Sequence, residues 1–284
     1  MHSDEAVTDV ALVTWLIAEQ FPTLAALEVR PVGEPGTVNA VFRLGDGLCV
    51  RLPRLDEWAA DLERELHWLP RLAPHLALQI PQPVGVGSAS TLFPRPWAVY
   101  RWIEGAPYAD AHEATETRAA TDLARFVASL RGIPPAVDAP AGGRRPLLEL
   151  DEATRAVLDP AALPAWEDAV RGPAFTGGQV WIHGDLLRPN LLVRDGRLAA
   201  VLDFGGVGVG DPAADVIAAW AVFRAAGRRA FRAALGVDDD TWRRARGFAL
   251  HQAAMIIPYY AESNPSFVAH ARRTLREVIA DFGG

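Results

Sequence analysis

The chain has 284 residues, 50% of them hydrophobic and 22% charged, with 9 tryptophans and a formal net charge of −7. This describes an ordered globular protein, long enough for one large domain or two lobes, and no apolar run reaches the length of a membrane span. The acidic balance argues against a general nucleic-acid binder and suits a cationic small molecule, while the single cysteine, Cys49, excludes an internal disulfide and a multi-cysteine metal site.

The opening MHSDEAVTDV lacks the basic-then-apolar pattern of a secretory signal, so a cytoplasmic protein is expected. All 28 residues counted as Lys+Arg are arginine. A Schiff-base lysine and a GxxxxGK[ST] phosphate loop are therefore ruled out, and any phosphate clamp must use arginine.

From Asp4 to Phe21, Val7, Val10, Ala11, Trp15 and Ala18 recur at helical spacing and predict an amphipathic first helix. AVFRL and LCVRL then flank Gly45-Asp46-Gly47, a hairpin signal that predicts a small antiparallel sheet with Cys49 packed in it. Before the hairpin, Gly33 to Asn39 reads as a turn, of the kind that covers phosphates or simply reverses the chain. Arg51 lies in the second hairpin strand. A helix is expected over Asp56 to Leu72, with Glu63 and Glu65 on one face and Leu62, Leu66 and Leu69 on another.

Residues 73–96, rich in proline, predict a connection with short extended pieces, and WAVYRWIEG, Trp97 to Gly105, predicts a strand. A helix follows from His112 to Arg131, with Leu123, Phe126, Val127 and Leu130 on one face and Pro134-Pro135 as its stop. Residues 132–149 read as a mobile surface loop, and Pro160 to Arg171 as a further helix. The periodicity then shortens: Val180–Ile182, Asn190–Val193 and Leu198–Leu202 are strand-like, the last two joined at Asp195-Gly196. Helices are expected over Pro212–Ala226, Asp240–Ala261 and Pro265–Phe282.

The stretch VWIHGDLLRPNLLVRDGRLAAVLDFGGVGVGDPAAD, Val180 to Asp215, gathers Asp185, Asn190 and Asp203. Each residue type is common in turns for local reasons. Together they supply what phosphoryl transfer demands: hard oxygen ligands for magnesium and a carboxylate that orients an attacking hydroxyl. A metal-dependent hydrolase would need more ligands, and the 7 histidines are scattered along the chain.

HGDLLRPNLL followed by LDFG resembles the HGDxxxxN…DFG pattern of the aminoglycoside phosphotransferase family, relatives of the protein kinases. NAVFRLGDGLCVRLPR, ELHWLPRLAP, WAVYRWIEG and GVGVGDPAADVIAAW extend the likeness over nearly the whole chain. The resemblance implies an α+β, bilobal, protein-kinase-like fold, with a β-rich nucleotide-binding lobe at 1–103 and a mainly helical catalytic and acceptor-binding lobe at 104–284. It implies Asp185 as catalytic base, Asn190 and Asp203 as magnesium ligands, and Arg51 in place of the usual nucleotide-contacting lysine, with Glu65 as its partner. Gly33 and Gly36 would cover phosphates, and Tyr100, Arg101, Trp102 and Ile103 would form the hinge against the base.

Asp211 and Asp215 are expected to hold the loop and cap the following helix. The chain departs from the family at Leu187-Arg188-Pro189, where Arg188 is expected to contact the phosphoryl group or solvent. The expected activity is ATP- and magnesium-dependent transfer, with GTP left open, to a hydroxyl of a small molecule: an aminoglycoside or related antibiotic, or a metabolite such as a sugar or amino alcohol. A catalytically silent nucleotide-binding relative is the alternative. The acceptor pocket is expected over 215–225 and 251–267, with Trp220, His251, Tyr259, Tyr260 and Glu262.

Overall fold

The computed structural model describes residues 8–32 and 39–283. The chain divides into two compact units, one formed by Met1–Pro74, Gln79–Glu104 and Asp203–Gly205, the other by His75–Leu78, Gly105–Leu202 and Gly206–Gly284. The region before residue 104 is built on a β-sheet and the later region is mainly helical.

In the first unit, α1 spans Val10–Gln20, capped by the Asp9 side chain accepting from the Leu12 N–H. Residues 4–7 of the expected helix, Val7 among them, lie outside the described residues. Strands β1 (Val29–Pro31), β2 (Asn39–Leu44) and β3 (Leu48–Pro53) are followed by a 3-10 turn at Asp56–Trp58 and by α2, Ala59–Leu72. Strands β4 (Pro83–Gly87) and β5 (Trp97–Arg101) complete an antiparallel sheet in the order β1-β2-β3-β5-β4. The proline-rich connection thus contributes a strand, and it does so at a sheet edge, where a missing N–H is tolerated. Val13, Leu16 and Ile17 of α1 form one core with Phe42, Leu44, Val50, Leu52 and Trp97. Each such side chain, taken from water to the interior, contributes roughly 1.5–3 kcal/mol. Cys49 is buried in β3, and burial pushes its thiol up to about 11, so it packs as an inert apolar group.

In the second unit, β6 (Ala106–Pro107) precedes α3, Glu113–Arg131, on which Leu123, Phe126, Val127 and Leu130 are buried. After α3 come α4 (Leu147–Arg155), α5 (Leu163–Arg171), β7 (Val180–Ile182), β8 (Leu191–Arg194), β9 (Arg197–Val201) and β10 (Gly208–Gly210). The sheets are β6-β8-β9 and β10-β7, with Gly208 opposite Ile182.

Two expectations are corrected here. Residues 132–149 are not one mobile loop: α4 begins at Leu147, and Pro140–Gly142 is strapped along β10. Val209 N donates to Pro140 O (2.8 Å) and Gly142 N to Val209 O (2.9 Å). Glycine is needed in that strap, since a Cβ at Gly142 would lie 2.8 Å from the Gly208 Cα.

The helix expected over Pro212–Ala226 is broken into α6 (Ala213–Val216), α7 (Ala218–Ala221) and the start of α8 (Ala225–Leu235). The second of the two breaks falls at Arg224, whose backbone is extended and whose N–H is taken by the Glu116 carboxylate of α3. Helices α9 (Asp239–Tyr259) and α10 (Pro265–Gly283) close the unit, α9 packing on α5 and α10. No helix among the described residues is long and apolar enough to cross a membrane.

Candidate active site

The first unit places the strand cation on the helix acid. Arg51 Nη1 donates to Glu65 Oε2 at 2.8 Å, and Arg51 Nη2 lies 4.0 Å from Asp203 Oδ1. Burial works to lower the Arg51 pKa, but Glu65, Tyr100 and Asp203 outweigh it and hold the guanidinium charged beyond its ordinary value. Glu65 itself is 1% exposed. It accepts two further bonds, from Tyr100 Oη (3.1 Å) and from the Phe204 backbone N–H (2.7 Å).

Contrary to expectation, Glu65 does not share the solvent face of α2 with Glu63. It lies in the buried stripe with Leu62, Leu69 and Leu72. Arg64, next to it, donates to Gly205 O at 2.7 Å. Helix α2 therefore grips the Asp203-Phe204-Gly205 backbone at two successive residues. Asp203 has a φ of 62°, the left-handed region that Asp tolerates better than most side chains.

Of the expected hinge residues, Tyr100 is buried with its hydroxyl on Glu65 and its backbone in β5. The N–H groups of Arg101 and Trp102 go to Gln82 O and Gly47 O, both at 2.9 Å. The Trp102 ring lies under the Arg43 guanidinium, 4.1 Å from its centroid. Ile103 follows directly. Gly33 and Gly36 lie outside the described residues.

In the second unit, strand β7 delivers His183-Gly184-Asp185. The turn needs glycine, because Gly184 has a φ of 84°. Asp215, fully buried in α6, accepts from the N–H groups of His183 (3.0 Å) and Gly184 (2.8 Å). It is the anchor of this turn rather than a helix cap, whereas Asp211 accepts from Ala213 N (2.9 Å) and from Arg244 Nε (2.8 Å). His183 Nδ1 accepts from the Asp185 N–H (3.1 Å), so its proton sits on Nε2, 2.9 Å from Leu202 O. His183 is thus a positioning residue held in one tautomer.

The Asp185 carboxylate is oriented from both sides: Asn190 Nδ2 donates to Oδ2 at 2.9 Å and Gln252 Nε2 to Oδ1 at 2.8 Å. Asn190 Nδ2 also reaches Asp185 O (2.9 Å), which leaves its Oδ1 as the atom available to a cation. Gln252, on α9, has no mark in its sequence context, since a glutamine on an amphipathic helix carries no local signal of function.

Arg188 does not stand in solvent. It is buried, with Nε on Val222 O (3.0 Å), Nη2 on Asp110 (2.6 Å), and its guanidinium over the Tyr108 ring. A pocket in this unit, beside Leu187 and Arg188, is lined by Gln252, Ile256, Phe267, His270 and Thr274. Trp220, expected there, is core, its indole donating to Asp281 at 2.9 Å. Tyr259 stands exposed on the surface.

His251, also expected there, instead meets Thr154 Oγ1 of α4 at 2.8 Å. Burial, reinforced by Arg144 and Arg145, lowers its pKa to about 4. The folded value is below the ordinary 6.5, so stability from the neutral imidazole is complete above about pH 6.5 and is lost as pH falls towards 4. His251→Asn should flatten the dependence of Tm on pH in that window; parallel Tm curves for the two proteins would show that His251 is not the titrating group.

The β-rich and helical regions, with a His-Gly-Asp turn and an Asp-Phe-Gly segment held in this way, define a kinase-like phosphotransferase architecture. The model of the phosphotransferase enzyme family APH matches residues 28–248, and the chain belongs to that family.

Solved structures share the fold. A GDP and kanamycin complex of an APH(2″) enzyme is 23% identical with a TM-score of 0.75, the match covering 95% of this chain and 99% of that one. A streptomycin–ATP ternary complex of APH(2″)-IIa is 20% identical with a TM-score of 0.67, covering 91% and 93%. The macrolide 2′-phosphotransferase MphH from Brachybacterium faecium is 23% identical with a TM-score of 0.62, covering 95% and 97%. No curated protein matches the chain.

Proposed function

We propose that this chain is a small-molecule kinase that moves the γ-phosphoryl group of ATP, or of GTP, to a hydroxyl of its acceptor in the cytoplasm. The observation that carries this reading is the Asp185 carboxylate, fixed by two amide donors on a turn that β7, His183 and Asp215 hold in place. Such a carboxylate orients the hydroxyl and accepts its proton as the acceptor oxygen bonds to Pγ. The bond from Pγ to the bridging oxygen breaks, and the nucleoside diphosphate leaves with that electron pair.

Arg51 is the cation for the nucleotide phosphates in a chain without lysine, and Glu65 sets its direction. Its planar fork offers paired donors to phosphate oxygens, where an ammonium would offer a point charge. Ile103 with the backbone around it would take the base.

Magnesium fits the donors present. Asn190 keeps its Oδ1, and the Asp203 side chain is 36% exposed with only a loose approach from Arg51. Both are hard oxygen ligands, and the metal, when bound, supplies charge to the phosphate oxygens.

The similar solved structures carry aminoglycosides or act on macrolides, which makes such antibiotics the first acceptors to test. Purified protein with magnesium and ATP or GTP should release ADP or GDP on addition of an alcohol acceptor. The phosphorylated acceptor should appear in the mass spectrum. Nucleotide binding with no turnover across aminoglycosides, macrolides, sugars, amino alcohols and hydroxy acids would instead identify a silent relative.

A further inference from the structure

Arg144 is unused by the reading above. It follows the strap on β10, and the residue before it, Gly143, has a φ of 81° and lies where a Cβ would be 2.8 Å from Ile182 Cδ1. Ile182 runs straight into His183-Gly184-Asp185, so the strap delivers Arg144 beside the loop that carries the base. Arg144 Nε is buried without a hydrogen-bond partner, and among the described residues the side chain enters no ion pair. The acid whose field reaches it is Asp185, and burial outweighs that acid. A folded protein seldom leaves a buried donor unpaired unless something else is to fill the place.

A second arginine accompanies it. Arg144 and Arg145 together act on His251, the α9 neighbour of Gln252. The pocket that begins at Gln252 is lined on its polar side by Arg188, His270 and Thr274, on its apolar side by residues such as Ile256 and Phe267, and by no Asp or Glu among the described residues. A net charge of −7 over the whole chain therefore does not describe this locality. A polyamine placed with its hydroxyl on Asp185 would meet an unpaired guanidinium and find no carboxylate in the pocket. An acid would find a cation already desolvated for it.

We propose that Arg144 binds a negatively charged oxygen of the phosphoryl acceptor, so that the acceptor is a hydroxy compound carrying a carboxylate or phosphate. This rests on the assignment of Asp185 to the acceptor hydroxyl. Gln252 and Asn190 hold the base, and Arg144 holds the acid group of the substrate.

The test uses three acceptors that differ only beside the hydroxyl: phenyllactate, the corresponding phenylpropanediol and the corresponding aminophenylpropanol. Nucleoside diphosphate release is measured for the parent, Arg144→Lys and Arg144→Met, each checked for an unchanged melting transition. The parent should prefer the acid over the amine by about 100-fold in kcat/KM, the scale of a desolvated charge pair. Arg144→Met should erase that preference by raising KM for the acid alone, and Arg144→Lys should retain part of it.

Preference for the amine overturns the proposal. So does a Met variant whose kcat falls equally with all three acceptors, because Arg144 would then serve the transferred phosphoryl group. In parallel, the Arg144 Nε–H resonance, assigned by its loss in Arg144→Met, is followed by NMR during titration with each compound. It should move with phenyllactate and not with the amine, and no movement with the acid counts against the proposal. That arm needs no turnover, so a chain that consumes no nucleotide at all would fail the kinase reading while Arg144 is still decided.

Discussion

Asp185→Asn should lower kcat by about three orders of magnitude and leave nucleotide affinity within about twofold of the parent. Loss of a positioned proton acceptor costs about a hundred- to ten-thousand-fold. The substitution keeps the shape of the side chain but turns one oxygen into a donor, so either Asn190 or Gln252 loses its acceptor. That loss costs about 1 kcal/mol of stability, too little to unfold the protein and simple to separate from catalysis. Nucleotide affinity is expected to persist because Arg51 and Glu65 belong to the other compact unit. Initial rates of diphosphate release and titration with a fluorescent nucleotide read the two quantities separately. An Asp185→Asn protein turning over at more than a tenth of the parent rate would place the base elsewhere.

The second large effect is expected at Glu65. Glu65→Ala removes the acceptor shared by Arg51, Tyr100 and Phe204 N–H and leaves a guanidinium nearly buried without its partner. Breaking a buried pair from one side costs about 3–5 kcal/mol. For a protein of this size that lowers Tm by roughly 6–20 °C. The Asp203-Phe204 backbone loses its restraint at the same time, and nucleotide affinity should fall by at least about tenfold, a change near 1.4 kcal/mol.

Arg51→Met tests the pair from the other side. Burial raises the Glu65 pKa and Arg51 is the foremost group opposing it, so without Arg51 the folded value rises further. A raised folded pKa gives stability that is fully present below the unfolded value and is lost as pH rises through the folded one. The Arg51→Met protein should therefore become relatively more stable in mild acid. Denaturant midpoints across pH check this; a midpoint difference from the parent that does not change with pH would show that Glu65 stays ionised regardless.

The legibility of these features in the sequence divides along physical lines. The hairpin at Gly45-Asp46-Gly47, the apolar face of α3 and the HGD…N…DFG spacing are local patterns, and local patterns specify local structure. With 28 arginines, composition does not single out Arg51; its place in the second hairpin strand and the resemblance of that segment to the family do. Glu65 reads as part of a polar face, yet at 62, 65, 69 and 72 it falls in step with three leucines. A carboxylate in phase with an apolar stripe is the available signal. Gln252, Asp215 on the His183-Gly184 turn, the strap at Pro140–Gly142 and the burial of Arg188 all depend on partners far away in the chain. Their residue types are ordinary where they stand, and only the fold gives them meaning. The break at Arg224 has the same cause, a carboxylate from α3 taking a backbone donor that a continuing helix would have used.

The three donors that converge on Glu65 also have an evolutionary consequence. A carboxylate that serves a strand guanidinium, a phenol and a backbone amide at once cannot drift alone, and neither can its side-chain partners. Arg51 and Tyr100 form with it one hydrogen-bonded unit, in which a lysine at 51 would put a point charge where the planar fork now stands. Among relatives, a basic residue at 51 should therefore be found together with an acid at 65, whichever cation the strand carries.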